Sequence, residues 1–125
     1  MTTKMENYCK NLKTPDEKRP FKAHGHMDVV TFPEGVTVGR GEFKPGWKWS
    51  EDVKPIAGTQ SCEAPHSGVC ISGSMVIHMN NGDEFTIREG DAFRIPAGHD
   101  AWVVGTEPCV LLDVGGSKSY AKKAA

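Results

Sequence analysis

The sequence predicts an all-β domain in which short antiparallel strands form a sandwich or a barrel. The 125 residues include 14 Gly and 8 Pro, and so many turn formers favour numerous short strands over long helices. Strand-like runs separated by turn signals continue along most of the chain, as in sandwiches and barrels. Between two of these runs stands Asn80-Asn81-Gly82-Asp83, and Asn-Gly in that setting is a strong hairpin signal.

Length, charge and composition set the class of protein. The length of 125 residues fits one domain, and the formal net charge of -1 provides no electrostatic footprint for nucleic acid. No apolar run approaches the roughly 20 residues that span a bilayer, and the N-terminus has no apolar stretch of the signal-peptide type. We therefore expect a cytoplasmic protein with no nucleic-acid or membrane partner, whose cysteines are reduced.

The first half of the chain begins with a polar arm and continues into strands. Residues 1–20 are polar and lysine-rich, so we expect an arm that is poorly ordered or docked on the barrel or a partner. Trp47 and Trp49 alternate with Lys48, which predicts both indoles on one face of a strand. Residues 50–64 are polar and predict a long loop. The strands expected before these tryptophans are 27–32 and 36–43.

The second half alternates strands and tight turns and then ends in a small, basic tail. Gly90 suits a positive φ, Pro96 ends a strand, and Gly98 supplies the second half of a turn. The tail 115–125 is rich in Gly, Ser, Lys and Ala, and we expect it to be mobile. The barrel itself is then expected over residues 21–114. The strands expected in this half are 66–71, 75–79, 84–88, 92–95, 101–104 and 109–114.

The spacing of Gly90, Pro96 and Gly98 resembles the second signature of the cupin superfamily. Residues 69–73 resemble the strand–turn run of that family and residues 81–85 resemble its hairpin, so the match covers roughly residues 36–114. The resemblance implies a small single-domain cupin, an antiparallel double-stranded β-helix or jelly-roll barrel that is open at one end. It also implies a homodimer, because members commonly pair through N-terminal strands and exposed sheet edges.

The family resemblance implies a divalent metal inside the barrel, but this chain departs from the usual ligands. Many cupins supply two His and a Glu from the first signature and one His from the second. Here His66 stands at the usual Glu position, and Ala101 stands where the second signature places its His. The paired His positions align in one of two ways, with Gln60 and Cys62 or with Asp52 and Lys54.

Cys62, His66 and His99 are the residues that could form an altered metal site. Thiolate and imidazole are ligands that suit zinc, while imidazole also suits Fe, Mn or Ni. His99 precedes Ala101 by two residues, so on a regular strand it shares the same face, nearer the mouth of the barrel. The alternative is that His66 and His99 line a polar cavity and form local hydrogen bonds.

Aromatic and polar side chains near this site predict a pocket for a small organic ligand, which could be anionic. Trp47 and Trp49 would line its walls, Lys54 would bind an anionic group, and Gln60 would lie nearby. Alternatively, the two indoles fill the barrel core or a subunit contact. One hypothesis is a metal-dependent enzyme that acts on a small organic acid. The other is a non-catalytic ligand-binding or sensing module with a degenerate metal site, and the sequence leaves enzyme status open.

Overall fold

The computed structural model describes residues 8–115 and 120–122. Nine strands form the framework of the domain, and two single-turn helices and one 3-10 turn lie between the strands. The strands are β1 Glu17–Pro20, β2 Gly25–Thr31, β3 Thr37–Phe43, β4 His66–Ser72, β5 Ser74–Met79, β6 Glu84–Arg88, β7 Ala92–Ile95, β8 His99–Val104 and β9 Cys109–Val114. The helices are α1 Trp49–Asp52 and α2 Lys54–Ala57, and the 3-10 turn is Pro33–Gly35.

The strands form two sheets in which every neighbouring pair is antiparallel. The six-stranded sheet has the order β1-β2-β3-β9-β4-β7, and the three-stranded sheet has the order β6-β5-β8. Alternate side chains of each strand point to opposite faces, and the inward faces of both sheets contribute to one core cluster. These observations confirm the predicted all-β, antiparallel architecture. Among the described residues, no helix is long and apolar enough to cross a membrane.

Local sequence signals predicted several of these elements correctly. The strands β6, β7 and β9 have the predicted bounds. The hairpin between β5 and β6 pairs Ile77 with Phe85 and His78 with Glu84, and Gly82 in its turn has a φ of 97°. A positive φ of this kind costs little only at glycine, which is why Asn-Gly indicated the turn.

The segment around the first two tryptophans differs from the prediction. Trp47 and Trp49 do not share a regular strand, because Trp49 begins helix α1. The amides of Glu51 and Asp52 both donate to the Lys48 carbonyl, at 3.0 and 2.8 Å, so the chain turns immediately. The expected loop 50–64 therefore contains two short helices. Both indoles are nevertheless buried, each with 2% of its surface exposed.

Both ends of the described chain contact the barrel. Strand β1, within the expected arm, pairs with β2, and Lys10 donates to the Thr31 carbonyl at 2.6 Å. In the expected mobile tail, Tyr120 and Ala121 are instead buried, with 5% and 8% exposed. The Tyr120 ring packs against aromatic core residues, which the small and basic composition of the tail did not indicate. Residues 1–7, 116–119 and 123–125 lie outside the described part of the chain.

Candidate metal centre

Cys62, His66 and His99 form one buried cluster inside the barrel. One potential ligand atom from each residue, a sulfur or an imidazole nitrogen, lies within 4.8 Å of the other two. The exposed fractions of the three residues are 3%, 8% and 3%. Thiolate and imidazole in such proximity could hold a metal ion. The structure thus brings together the three residues that the sequence predicted as ligands.

Main-chain hydrogen bonds hold Cys62 beside His99, although Cys62 lies outside the nine strands. The two residues form an isolated antiparallel bridge, in which the Cys62 amide donates to the His99 carbonyl at 2.8 Å. The Gly98 amide donates to the Cys62 carbonyl at 2.7 Å. The thiol itself donates to the Ala64 carbonyl at 3.8 Å. The position of the sulfur is therefore set by the same turn that begins β8.

His66 begins β4 and is oriented by a carboxylate on the neighbouring strand β9. Its Nδ1 lies 2.5 Å from Oδ2 of Asp113, and the proton is assigned to Nδ1 because a carboxylate only accepts. In the neutral ring the lone pair is then on Nε2, which lies 3.7 Å from Sγ of Cys62. A carboxylate bonded to the far nitrogen is the arrangement that orients metal-binding histidines.

His99 is oriented in the same way by a backbone carbonyl. Its Nδ1 lies 2.9 Å from the Pro96 carbonyl oxygen, so Nδ1 donates and Nε2 keeps its lone pair in the neutral ring. The rings of His66 and His99 are 5.7 Å apart between centroids, with an interplanar angle of 70°. Each histidine thus offers one unprotonated nitrogen while its other nitrogen is occupied by a hydrogen bond.

Burial keeps the thiol of Cys62 protonated when no cation is present. Loss of hydration raises the pKa of Cys62 to about 12, and the charges of nearby Glu63, Asp113 and Asp100 raise it further. Only the thiolate is an effective nucleophile. The site is therefore poorly arranged for thiol catalysis, whereas a bound cation would favour the thiolate by direct charge compensation.

Burial lowers the pKa of His99, whereas it raises the pKa of Cys62. Loss of hydration lowers the pKa of His99 to about 4, although the hydrogen bond to Pro96 acts in the other direction. Because the charge of a neighbouring protonated His66 would repel a second charge, it also lowers the pKa of His99. His99 is consequently neutral at physiological pH, which is the form that binds metals.

We expect the metal-free protein to lose stability as the pH falls below neutrality. The unfolded His99 has a pKa of 6.5 and the folded one a pKa of about 4, so the unfolded chain binds the extra proton in this range. The contribution is present well above pH 6.5, and about 2 kcal/mol of it is lost by pH 5. Urea unfolding of EDTA-treated protein across this range measures the loss. His99→Gln should remove most of the slope, whereas His78→Gln, on the outer face, should retain it; equal slopes in wild type and His99→Gln would contradict the assignment.

A small cavity lies against the two histidines. Its volume is about 30 Å³, and since a water needs roughly 10–15 Å³, it holds about two waters. The walls are mostly apolar and include Phe43, Trp47, Trp49, Ile77, Ala101 and Tyr120. The cavity can thus contain water or a diatomic molecule beside the cluster, but it has no room for an organic ligand in this conformation.

The four predicted ligand-binding residues lie in two different places. Trp47 and Trp49 line the cavity. Lys54 and Gln60 are not among its lining residues; instead Lys54 Nζ donates to Gln60 Oε1 at 3.1 Å in an exposed contact. The structure therefore places the two indoles at the site and the two polar residues at the surface.

Some of the positions that usually hold the metal in cupins lie in the cluster of this chain, and others do not. Ala101 points inward two residues after His99, is 3% exposed and presents only a methyl group to the cavity. The two possible alignments of the paired positions involve Gln60 and Cys62 or Asp52 and Lys54. Among these four residues, only Cys62 lies in the cluster. The Asp52 carboxylate accepts from the Lys48 amide at 3.1 Å and lies 3.1 Å from His24 Nδ1.

Two residues of the site did not emerge from the sequence. Asp113 is 3% exposed and faces inward on β9. An acidic residue within the apolar run Cys-Val-Leu-Leu-Asp-Val was the sequence signal that could have identified it as a buried carboxylate. Charged side chains are rarely buried without a partner, and that rule could have directed attention to a histidine. Tyr120 lies in the expected tail, where no pattern indicated burial.

Comparisons with known proteins show the same fold. Residues 58–115 match the family model described as cupin domain. A Klebsiella pneumoniae protein with a double-stranded beta-helix domain is similar at TM-score 0.60 and 22% identity, over 91% of this chain and 88% of that one. A cupin-like protein from Thermotoga maritima is similar at TM-score 0.53 and 14% identity, over 81% and 74%. Peruvianin-I, a cysteine peptidase from Thevetia peruviana latex, is similar at TM-score 0.60 and 20% identity, over 93% and 76%. No curated protein matches the chain.

Proposed function

Because this chain is a cupin-fold protein with a cupin domain over residues 58–115, we propose that it binds one zinc ion in its barrel through Cys62, His66 and His99. The observation that supports the proposal is the buried cluster, in which the three ligand atoms lie within 4.8 Å of one another. Such a set replaces the usual cupin quartet, whose second-signature position is Ala101 in this chain.

One pair of donor atoms already lies close to the spacing that zinc requires. Bond lengths to zinc of about 2.3 Å for sulfur and 2.0–2.1 Å for nitrogen place tetrahedral ligand atoms about 3.3–3.6 Å apart. The Cys62 sulfur and the His66 Nε2 are already 3.7 Å apart. His66 and His99 are held by hydrogen bonds through Nδ1, so both Nε2 atoms are free of protons. For binding, the three ligand atoms, which lie within 4.8 Å of one another, would have to reach these tetrahedral separations.

Three protein ligands leave one coordination position for a small molecule. A zinc ion with three protein ligands supplies Lewis acidity and lowers the pKa of a bound water. The residues of the chain hold the metal ligands in position: Asp113 orients His66, and the Pro96 carbonyl orients His99. Trp47 and Trp49 provide apolar walls that limit access of bulk water to the cavity.

The donor set favours zinc over manganese and iron. A thiolate is a soft ligand that suits zinc better than manganese, and zinc exceeds iron in the usual order of affinities. A nucleophilic role of Cys62, which the fold likeness to a cysteine peptidase could suggest, is disfavoured because burial raises the pKa of the thiol to about 12. Whether the zinc site is catalytic or serves ligand sensing is decided by a turnover assay once a ligand is known.

Elemental analysis of protein purified without chelators or added metal tests the proposal. We expect about one zinc per chain in the wild type and loss of this zinc in His66→Ala, because a ligand is removed. His78→Ala is the matched control, since His78 lies on the outer face and bonds to Glu84, and it should retain the metal. Wild-type protein that neither retains zinc nor binds it when zinc is added would overturn the proposal.

Asp113→Asn should weaken zinc binding by about 10- to 100-fold. The amide keeps the shape of the side chain but lacks the carboxylate charge, so His66 loses both an oriented tautomer and basicity. Zinc affinity is measured by competition with a chromophoric chelator. Asp91→Asn is the matched control, since Asp91 is exposed and its carboxylate accepts from the Arg88 amide at 2.8 Å, away from the cluster. An Asp113→Asn affinity equal to that of the control would show that Asp113 does not act on the metal site.

A further inference from the structure

The ring of Tyr120 occupies an aromatic site beside the metal ligands. Its centroid lies 5.0 Å from that of His66, with an interplanar angle of 80°, and 6.1 Å from that of Phe21, at 85°. Both contacts are edge-to-face arrangements, which aromatic pairs favour. We use the name Tyr120 seat for the volume between Phe21 and His66 that this ring fills.

Tyr120 borders the polar part of the site. His66, His99 and Asp113 line the same cavity as Tyr120. Burial raises the pKa of the Tyr120 hydroxyl well above its usual range. The seat is therefore continuous with a cavity that has both aromatic and polar walls.

A buried hydrogen bond connects Tyr120 to the N-terminal strand. Nη1 of Arg19 donates to the Tyr120 carbonyl at 2.8 Å. Glu17 fixes the guanidinium, with Nε and Nη2 of Arg19 donating to its two carboxylate oxygens at 2.8 and 2.9 Å. The next residue, Ala121, has a φ of 54°, a backbone angle that is unfavourable for residues other than glycine. Arg19, which is distant in sequence, thus holds the backbone of Tyr120, and the residue that follows Tyr120 is strained.

The small volume of the cavity means that the position of Tyr120 determines whether an organic ligand can enter. With the ring in place, about 30 Å³ remains, whereas a cavity that binds benzene measures roughly 150 Å³. An organic ligand can therefore reach His66 and Cys62 only if Tyr120 leaves. The space that it vacates has the shape of the ring that filled it.

We propose that the Tyr120 seat is the organic-ligand subsite of this barrel, that it takes a planar aromatic molecule of phenol size, and that Tyr120 is its internal occupant. The proposal deepens the proposed function, on which it rests for the metal that the ligand approaches. The two edge-to-face contacts supply the preference for an aromatic ring over an aliphatic one of the same size.

Phenol binding to EDTA-treated Tyr120→Ala protein tests the subsite, because this substitution removes a phenol. We expect phenol to bind about tenfold more tightly than cyclohexanol, with no comparable binding to the wild type or to Tyr120→Phe. Arg19→Gln retains the ring and all apolar core side chains, so it should bind phenol more weakly than Tyr120→Ala but measurably, and it decides the test if Tyr120→Ala does not fold. Equal affinity for cyclohexanol and phenol would overturn the aromatic assignment, and absence of phenol binding in both variants would overturn the subsite.

Alkylation by iodoacetamide, followed residue by residue by mass spectrometry, tests whether Tyr120 covers the cluster. Cys62 should react about tenfold faster or more in Tyr120→Ala and in Arg19→Gln, since 1.4 kcal/mol of lost protection is a factor of ten. Cys70 and Cys109 are equally buried and act as internal controls that should keep their wild-type rates. Equal acceleration of all three would indicate global opening and contradict the proposal. Both assays use metal-free protein, so a failure of the zinc site is seen separately in the elemental analysis.

Discussion

Cys62→Ser is expected to lower the affinity for zinc by more than about 100-fold, beyond the loss typical of an outer-shell partner. The hydroxyl is a poor replacement for the thiolate, which is the only sulfur in the cluster. The substitution is nearly isosteric, and the backbone bridge between Cys62 and His99 does not involve the side chain. The fold should therefore remain intact while the metal is lost. Competition with a chromophoric chelator measures the change in affinity.

Cys70→Ser is the matched control for this substitution. Cys70 is also buried, but its thiol donates to the carbonyls of Ser72 and Gly73, away from the cluster. The zinc affinity of the Cys70→Ser protein, measured with the same chelator, should equal that of the wild type. If Cys62→Ser also binds zinc as tightly as the wild type, the sulfur is not a ligand and the proposed donor set is wrong.

Gly68→Ala is expected to destabilise the protein by about 3 kcal/mol or more, the upper range for overpacking. A Cβ at this position would overlap the backbone carbonyl of Leu112 on the neighbouring strand. Because backbone atoms of a paired strand cannot move aside without breaking the ladder, the strain is not relieved by a side-chain rotation. Asp113 is the Cα partner of Gly68 in this pairing, so its alignment with His66 should also suffer. Urea unfolding measures the change in free energy.

Ser67→Ala, one position earlier on β4, is the control for Gly68→Ala. It removes a half-exposed hydroxyl without adding volume, so we expect a change within about 0.5 kcal/mol. A Gly68→Ala protein with wild-type stability would show that β4 and β9 can separate locally.

The sequence predicted the fold well because its signals are local. Alternation and turn residues define β6, β7 and β9 directly, and Gly90, Pro96 and Gly98 indicate the turns before β8. The pair Trp47 and Trp49 was misread because alternation over three residues does not distinguish a strand from the start of a helix. The hydrogen bonds to the Lys48 carbonyl that end the extended run depend on residues farther along the chain.

The candidate site was predicted in its ligands but not in its surroundings. Cys62, His66 and His99 were identified by ligand type and by their places relative to the cupin signatures. Asp113 and Tyr120 reach the cluster only through pairing of distant strands and through the return of the C-terminal segment, respectively. No local pattern encodes such contacts. The homodimer and the absence of nucleic-acid and membrane partners stay predictions.

X-ray absorption at the zinc edge of the zinc-loaded protein tests the central claim most directly, because it reports the ligand atoms themselves. We predict one sulfur at about 2.3 Å and two imidazole nitrogens at about 2.0–2.1 Å, with one further light atom completing the tetrahedron. Cys62→Ser protein loaded at high zinc concentration should lose the sulfur shell alone. A wild-type spectrum that contains only nitrogen and oxygen neighbours would contradict a zinc centre built from Cys62, His66 and His99.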